Sequence, residues 1–145
     1  MRSISADSDL APRLRLAITR AARRLRQEAG SSLSPSQGAA LATIDRHGPL
    51  TPSELAQRER VRRPTVTRLA ARLEALGLLA RAADPGDRRS SLLSVTPEGR
   101  ALLETMRDRK DAYLASRLAG LDPEERAALD RAAAILERLL EDDRA

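Results

Sequence analysis

Four times in this chain a helix-capping residue stands directly before a proline. Ser34-Pro35-Ser36-Gln37, Thr51-Pro52-Ser53-Glu54 and Asp122-Pro123-Glu124-Glu125 add Gln or Glu at the third helical position, and Thr96-Pro97-Glu98 repeats the opening. The capping side chain satisfies a backbone N–H that no helical carbonyl reaches. Proline costs nothing at the first helical position, because its missing N–H would have been unpaired there anyway. Any fold for this chain must therefore accommodate helices that open at Pro35, Pro52, Pro97 and Pro123.

Glycines supply the stops. Gly30, Gly48, Gly77 and Gly120 each follow a helical pattern. Apolar spacing then predicts six helices, at about 10–28, 35–46, 52–60, 63–76, 97–119 and 123–141. The first carries Leu10, Leu14, Ile18, Ala21 and Leu25 on one stripe, and the last carries Leu129, Ala133, Leu136 and Leu140. In the fourth, Val66, Leu69, Ala70, Leu73 and Leu76 are expected to face inward. Between Gly77 and Pro97 the helical period fails. Two short apolar runs, 78–83 and 90–96, flank Asp84-Pro85-Gly86-Asp87, where Pro then Gly predicts a type II turn with positive φ at Gly86. The expectation is a mainly α fold with one small β-hairpin.

Charge singles out one part of this layout. Of 26 basic and 21 acidic residues, nine and four fall between Arg58 and Arg89, leaving 17 of each elsewhere. The whole excess of +5 thus lies in that stretch, the footprint of a surface that meets phosphates, though a solvated basic face would look the same. Tyr113 is the sole aromatic residue, so the core must be built from Leu, Ala, Val and Ile, and base stacking on single strands is not expected. With no cysteine, disulfides, thiolate metal sites and thiol switches are excluded. No apolar run is long enough to cross a bilayer, and the N-terminus lacks the layout of a signal peptide, so a cytoplasmic location is expected.

The basic stretch coincides with a helix-turn-helix candidate, the helices from Pro52 and from Arg63 joined through residues 59–62. If the second helix buries its apolar stripe, Arg62, Arg63, Thr65, Thr67, Arg68 and Arg72 remain on its exposed start and flank. Arg bonds guanine edges bidentately, and Thr offers a hydroxyl or a methyl to bases. Arg68 and Arg72 suit phosphates equally well, and phosphate contacts set register while base contacts choose sequence. The hairpin that follows would be a wing, with Arg88 and Arg89 at its tip for a narrow minor groove. Asp87 is placed to orient Arg89 or to form an ordinary surface ion pair with it.

These segments resemble the MarR family of bacterial winged helix-turn-helix regulators. The resemblance rests on Thr51-Pro52-Ser53-Glu54-Leu55-Ala56, Pro64-Thr65-Val66-Thr67-Arg68-Leu69, Leu73-Glu74-Ala75-Leu76-Gly77-Leu78, Asp84-Pro85-Gly86-Asp87-Arg88-Arg89-Ser90 and Leu93-Ser94-Val95-Thr96-Pro97-Glu98-Gly99. It covers residues 34–99 by motif and the flanking helices by arrangement. It implies a homodimer with interleaved terminal helices on a near-palindromic double-stranded operator, with Arg89 in the minor groove and Asp87 as its partner. The recognition helix often opens with Ser in the family; here Arg62 and Arg63 stand there, so base preference does not carry over. The expected parts are a dimerisation helix over 1–33, a winged lobe over 34–99 and dimerisation helices over 100–145. The terminal stripes agree with dimerisation, although they could also pack within one chain.

Other candidates carry less. His47, the only histidine, suits either a helix C-terminal cation or a small-molecule effector cavity, which the family has between its dimer helices and DNA-binding lobe. One histidine and no cysteine exclude a His/Cys metal cluster, and no cofactor is expected. Asp108 and Asp111 read as solvated helix surface, and Glu124-Glu125 as an ordinary helix start. No nucleophile motif, phosphate loop or nucleotide fingerprint is present, so an enzyme is not expected. The leading expectation is a sequence-specific, ligand-responsive repressor. A sequence-tolerant DNA binder without effector and a helical protein-interaction module are the alternatives.

Overall fold

The computed structural model describes residues 3–141, with side chains described from residue 9 onward. Its elements run α1 (Ser3–Ala29), α2 (Pro35–His47), α3 (Pro52–Glu59), α4 (Arg63–Ala75), β1 (Leu79–Asp84), β2 (Asp87–Val95), α5 (Pro97–Leu118) and α6 (Pro123–Glu141). All six expected helices are present, four of them opening at the anticipated prolines. The caps account for this. Ser34 accepts from Gln37 N–H while its own N–H donates to the Gln37 side chain. Thr51 accepts from Glu54 N–H at 3.2 Å, and Asp122 accepts from Glu125 N–H at 2.8 Å. Thr96 accepts from Gly99 N–H and donates to the Gly77 carbonyl, so it starts α5 and closes the α4–β1 turn together.

The core is aliphatic throughout. Ala40, Leu41 and Ile44 of α2 meet Leu55 of α3 and Val66, Ala70 and Leu73 of α4. Leu50, Leu78, Leu79, Leu93 and Leu103 of α5 close it. Leu76 departs from expectation: it is 42% exposed, because the backbone leaves the helix at Gly77 and the next buried side chain is Leu78. Gly77 takes φ +75°, the left-handed region where a Cβ would strain.

β1 and β2 pair antiparallel from Leu79↔Val95 to Ala83↔Ser91, after which the register jumps to Asp84↔Asp87. The turn differs from the type II prediction. Gly86 does not adopt positive φ; its N–H instead donates to the Asp84 carboxylate at 2.9 Å, which holds a side-chain-stabilised turn. A bridge unseen in the sequence adds a third strand position. Leu50 exchanges two backbone hydrogen bonds with Leu93, at 3.0 and 2.8 Å, and ties the α2–α3 linker to the hairpin.

The chain divides into two units, Met1–Lys110 and Asp111–Ala145, with the boundary inside α5. In the first, Asp45 of α2 faces Arg100 and Arg107 of α5 at 3.6 and 3.2 Å. Arg109 of α5 donates to the Ala29 carbonyl at the end of α1. In the second, α6 has no buried residue among those described.

Candidate nucleic-acid interface

Helices α3 and α4 are joined by three residues, and the backbone there is held tightly. Arg60 takes φ +54°, ψ +45°, and its N–H reaches the Ala56 and Gln57 carbonyls, ending α3 with a left-handed cap. Arg62 is the N-cap of α4 with no side-chain cap bond, and Pro64 lies in the first turn. Val66, Ala70 and Leu73 face the core, so Arg62, Arg63, Thr67, Arg68 and Arg72 stand exposed and Thr65 half-buried. Five of the six residues expected on the exposed start and flank are exposed; Thr65, directly before the buried Val66, is the departure.

The nine arginines of the basic stretch fall into two groups. Arg58 faces the His47 Nε2 at 3.3 Å. Arg63 donates to the Ser53 hydroxyl at 2.6 Å, which braces the start of α4 against the start of α3. Arg81 donates through Nε and Nη2 to one Glu74 carboxylate oxygen, at 3.0 and 2.8 Å, and through Nη1 to the Ser91 hydroxyl at 3.1 Å. It therefore fastens both wing strands to the C-terminal part of α4. Neither the Arg63 nor the Arg81 partnership was legible beforehand, since the partners lie seven to ten residues away. The side chains of Arg60, Arg62, Arg68, Arg72, Arg88 and Arg89 have no hydrogen-bond or ion-pair partner among the described residues, and all six are exposed.

On the wing, the register jump leaves Arg88, Arg89 and Ser90 opposite no residue of β1. Such a bulge re-aims side chains away from the regular pleat. Asp87 acts on the backbone here: its carboxylate accepts the Arg89 N–H at 2.9 Å. Among the described residues it makes no ion pair with the Arg89 guanidinium, which leaves that charge uncompensated. Thr67 is also partly committed, donating to the Arg63 carbonyl at 3.1 Å.

A cavity of about 560 Å³ lies between α1, α2 and α5. Leu25, Leu33, Ala42, Leu103 and Met106 make it apolar, and Arg26, Arg107 and Lys110 add cationic groups to its lining. His47, a candidate for such a cavity, is not part of this lining; it lies exposed at the end of α2 against Arg58. Among the described residues no group of three or more His, Asp or Glu could hold a metal ion, and no helix is long and apolar enough to cross a membrane.

Comparison with known proteins agrees with this geometry. The MarR family model matches residues 33–91. An uncharacterized HTH-type transcriptional regulator of Mycobacterium bovis is 40% identical over 140 residues, covering 96% of this chain and 98% of the relative. The crystal structure of a putative transcriptional regulator from Pseudomonas aeruginosa is 41% identical with a TM-score of 0.84, covering 93% of this chain and 96% of that one. Bordetella bronchiseptica BpsR, whose DNA binding is regulated by 6-hydroxynicotinic acid, is 30% identical with a TM-score of 0.63, covering 88% of this chain and 91% of its own.

Proposed function

This chain belongs to the MarR family of DNA-binding transcriptional regulators, which are not enzymes, and on that premise we propose a sequence-specific, ligand-responsive repressor that acts as a homodimer. The observation that carries the DNA reading is the sorting of the arginines. Charges needed for architecture are paired within the chain, while those on the outer face of α4 and on the wing bulge are left to an outside anion. In this reading α4 enters the major groove with Arg62, Thr65, Thr67 and Arg68 toward base edges, and Arg63 braces the helix start. Arg72 meets a phosphate. The wing lays Arg88 and Arg89 along the minor groove, Asp87 having set the backbone that presents them.

The dimer reading rests on apolar side chains that the described residues leave exposed. Leu10, Leu14 and Ile18 of α1 are 38–49% exposed, and Leu129, Ile135, Leu139 and Leu140 of α6 are 46–66% exposed. A second copy covers them, and two-fold symmetry then places two recognition helices about 34 Å apart on a near-palindromic operator. The effector reading rests on the cavity. An apolar chamber bearing Arg26, Arg107 and Lys110 suits a small organic anion. Arg107 also pairs with Asp45, so a ligand carboxylate competes with a tie between α5 and the DNA-binding lobe. Repression then follows from occupancy of a promoter and is relieved by the ligand.

Footprinting on genomic fragments followed by fluorescence anisotropy tests the DNA claim. Arg89→Ala should weaken operator binding by about 1–3 kcal/mol, roughly five- to 150-fold, with the melting temperature unchanged. A variant that binds as tightly as the parent would remove the wing from the interface. Equal affinity for operator and unrelated duplex would instead favour the sequence-tolerant reading.

A further inference from the structure

We infer that Arg60, in the turn between α3 and α4, is a phosphate-contacting residue of the DNA interface, an inference that rests on the DNA-binding reading above. Three observations carry it. First, Arg60 is the one non-glycine residue with positive φ among those described, at a helix end where glycine would fit without strain. Its side chain is exposed and has no hydrogen-bond or ion-pair partner among the described residues that would explain an arginine there. The backbone N–H closes α3 on the Ala56 and Gln57 carbonyls, but no described contact calls for a guanidinium at this position, which points to a role for the side chain outside the folded chain.

Second, the neighbouring acid is taken out of reach. Glu59 is half-buried and accepts a hydrogen bond from the Thr43 hydroxyl of α2, so its carboxylate is turned into the lobe beside an unpaired guanidinium. Third, Arg60 lies two residues before the N-cap of α4, on the approach to the end of the helix that carries Arg62, Arg63 and Arg68. A residue on that approach reaches the rim of the groove rather than its floor, and the rim is lined by phosphate. The contact would therefore strengthen binding without reading sequence.

The test uses the full-length protein, a short mixed-sequence duplex and a salt titration of binding, with Arg60→Gln and Arg60→Gly as variants. Gln removes the charge and keeps the left-handed strain; Gly removes both. Both variants should lower the slope of log affinity against log salt by about 0.9, the signature of one lost phosphate contact. Their affinity for operator and for mixed-sequence duplex should fall by the same factor. Only Arg60→Gly should also melt at a higher temperature than the parent. An unchanged salt slope in both variants overturns the inference while leaving the DNA reading intact. Failure of the parent itself to bind duplex overturns the reading beneath it. A lowered melting temperature for Arg60→Gln with no change in slope would show a structural role instead, and likewise overturn the proposal.

Discussion

The winged lobe and the last helix are built from the same residue type at the same helical period, yet they end in opposite states. Leu41, Leu55 and Leu73 in the lobe are fully buried, whereas Leu139 and Leu140 of α6 are 59% and 66% exposed. In the lobe, the stripes of α2, α3 and α4 face one another and the hairpin closes them from the side. On α6 no residue of the stripe is buried among the described residues. A periodic apolar pattern therefore promises burial without saying against what. The comparison breaks most visibly under matched truncation. Leu73→Ala should cost about 2–5 kcal/mol in chemical denaturation, from lost transfer energy and the cavity left behind. Leu139→Ala should change the stability of the isolated monomer by less than about 0.5 kcal/mol and act instead on self-association, measured by sedimentation. Comparable destabilisation of the monomer by both would mean that α6 already packs within its own chain.

The joint between hairpin and α5 gives a sharper, smaller effect. Gly99 sits buried in the first turn of α5, where an added Cβ would overlap the Leu78 carbonyl oxygen and meet Val95 Cγ1 at 2.9 Å. Neither neighbour is a flexible side-chain end that can swing away. Gly99→Ala should therefore cost about 1–3 kcal/mol through displaced backbone. Thermal melts should show the loss even at concentrations where self-association is saturated. A neutral result would mean that α5 can slide away from the hairpin without penalty, and that the lobe's edge is softer than its core.

These differences follow how much of each region was legible in the sequence. The caps were, because Ser34, Thr51, Thr96 and Asp122 act on N–H groups three residues away, and α2, α3, α5 and α6 accordingly open at the anticipated prolines. The exposed arginines of α4 were legible too, as the complement of a buried stripe. What escaped was set by partners at a distance or by side chains overriding backbone preference. Pro85-Gly86 suggests a type II turn, but the Asp84 carboxylate captures the Gly86 N–H and the register jumps at Arg88–Ser90. The Leu50–Leu93 bridge leaves no periodic trace, being a single pair. The left-handed turn was hidden because arginine occupies it, so α3 seemed to run on through Arg60. Nothing local marks Arg63 and Arg81 as paired; only the fold sets Ser53, Glu74 and Ser91 beside them.

The smallest expected effect separates the two regions by chemistry rather than by packing. The lobe's helices α2 and α3, and α5 after them, start on the hydroxyls of Ser34, Thr51 and Thr96, which do not titrate. Helix α6 starts on the carboxylate of Asp122. The backbone N–H of Glu125 beside it holds that carboxyl below its ordinary value of 3.8. A carboxylate with a depressed folded pKa contributes stability that is fully present above its unfolded value and is lost as pH falls through the folded one. The start of α6 should therefore be unaffected from neutrality down to about pH 4 and loosen only on further acidification. The Glu125 amide, followed by NMR, should titrate there with a midpoint below that of a free aspartate, whereas the Gln37 amide behind Ser34 shows no cap-linked step. Asp122→Asn should abolish the step while keeping the cap, since asparagine caps a helix as well as aspartate does. A Glu125 amide with no inflection, or an inflection that survives the asparagine substitution, would detach the start of α6 from Asp122 and leave packing as the sole difference between the two regions.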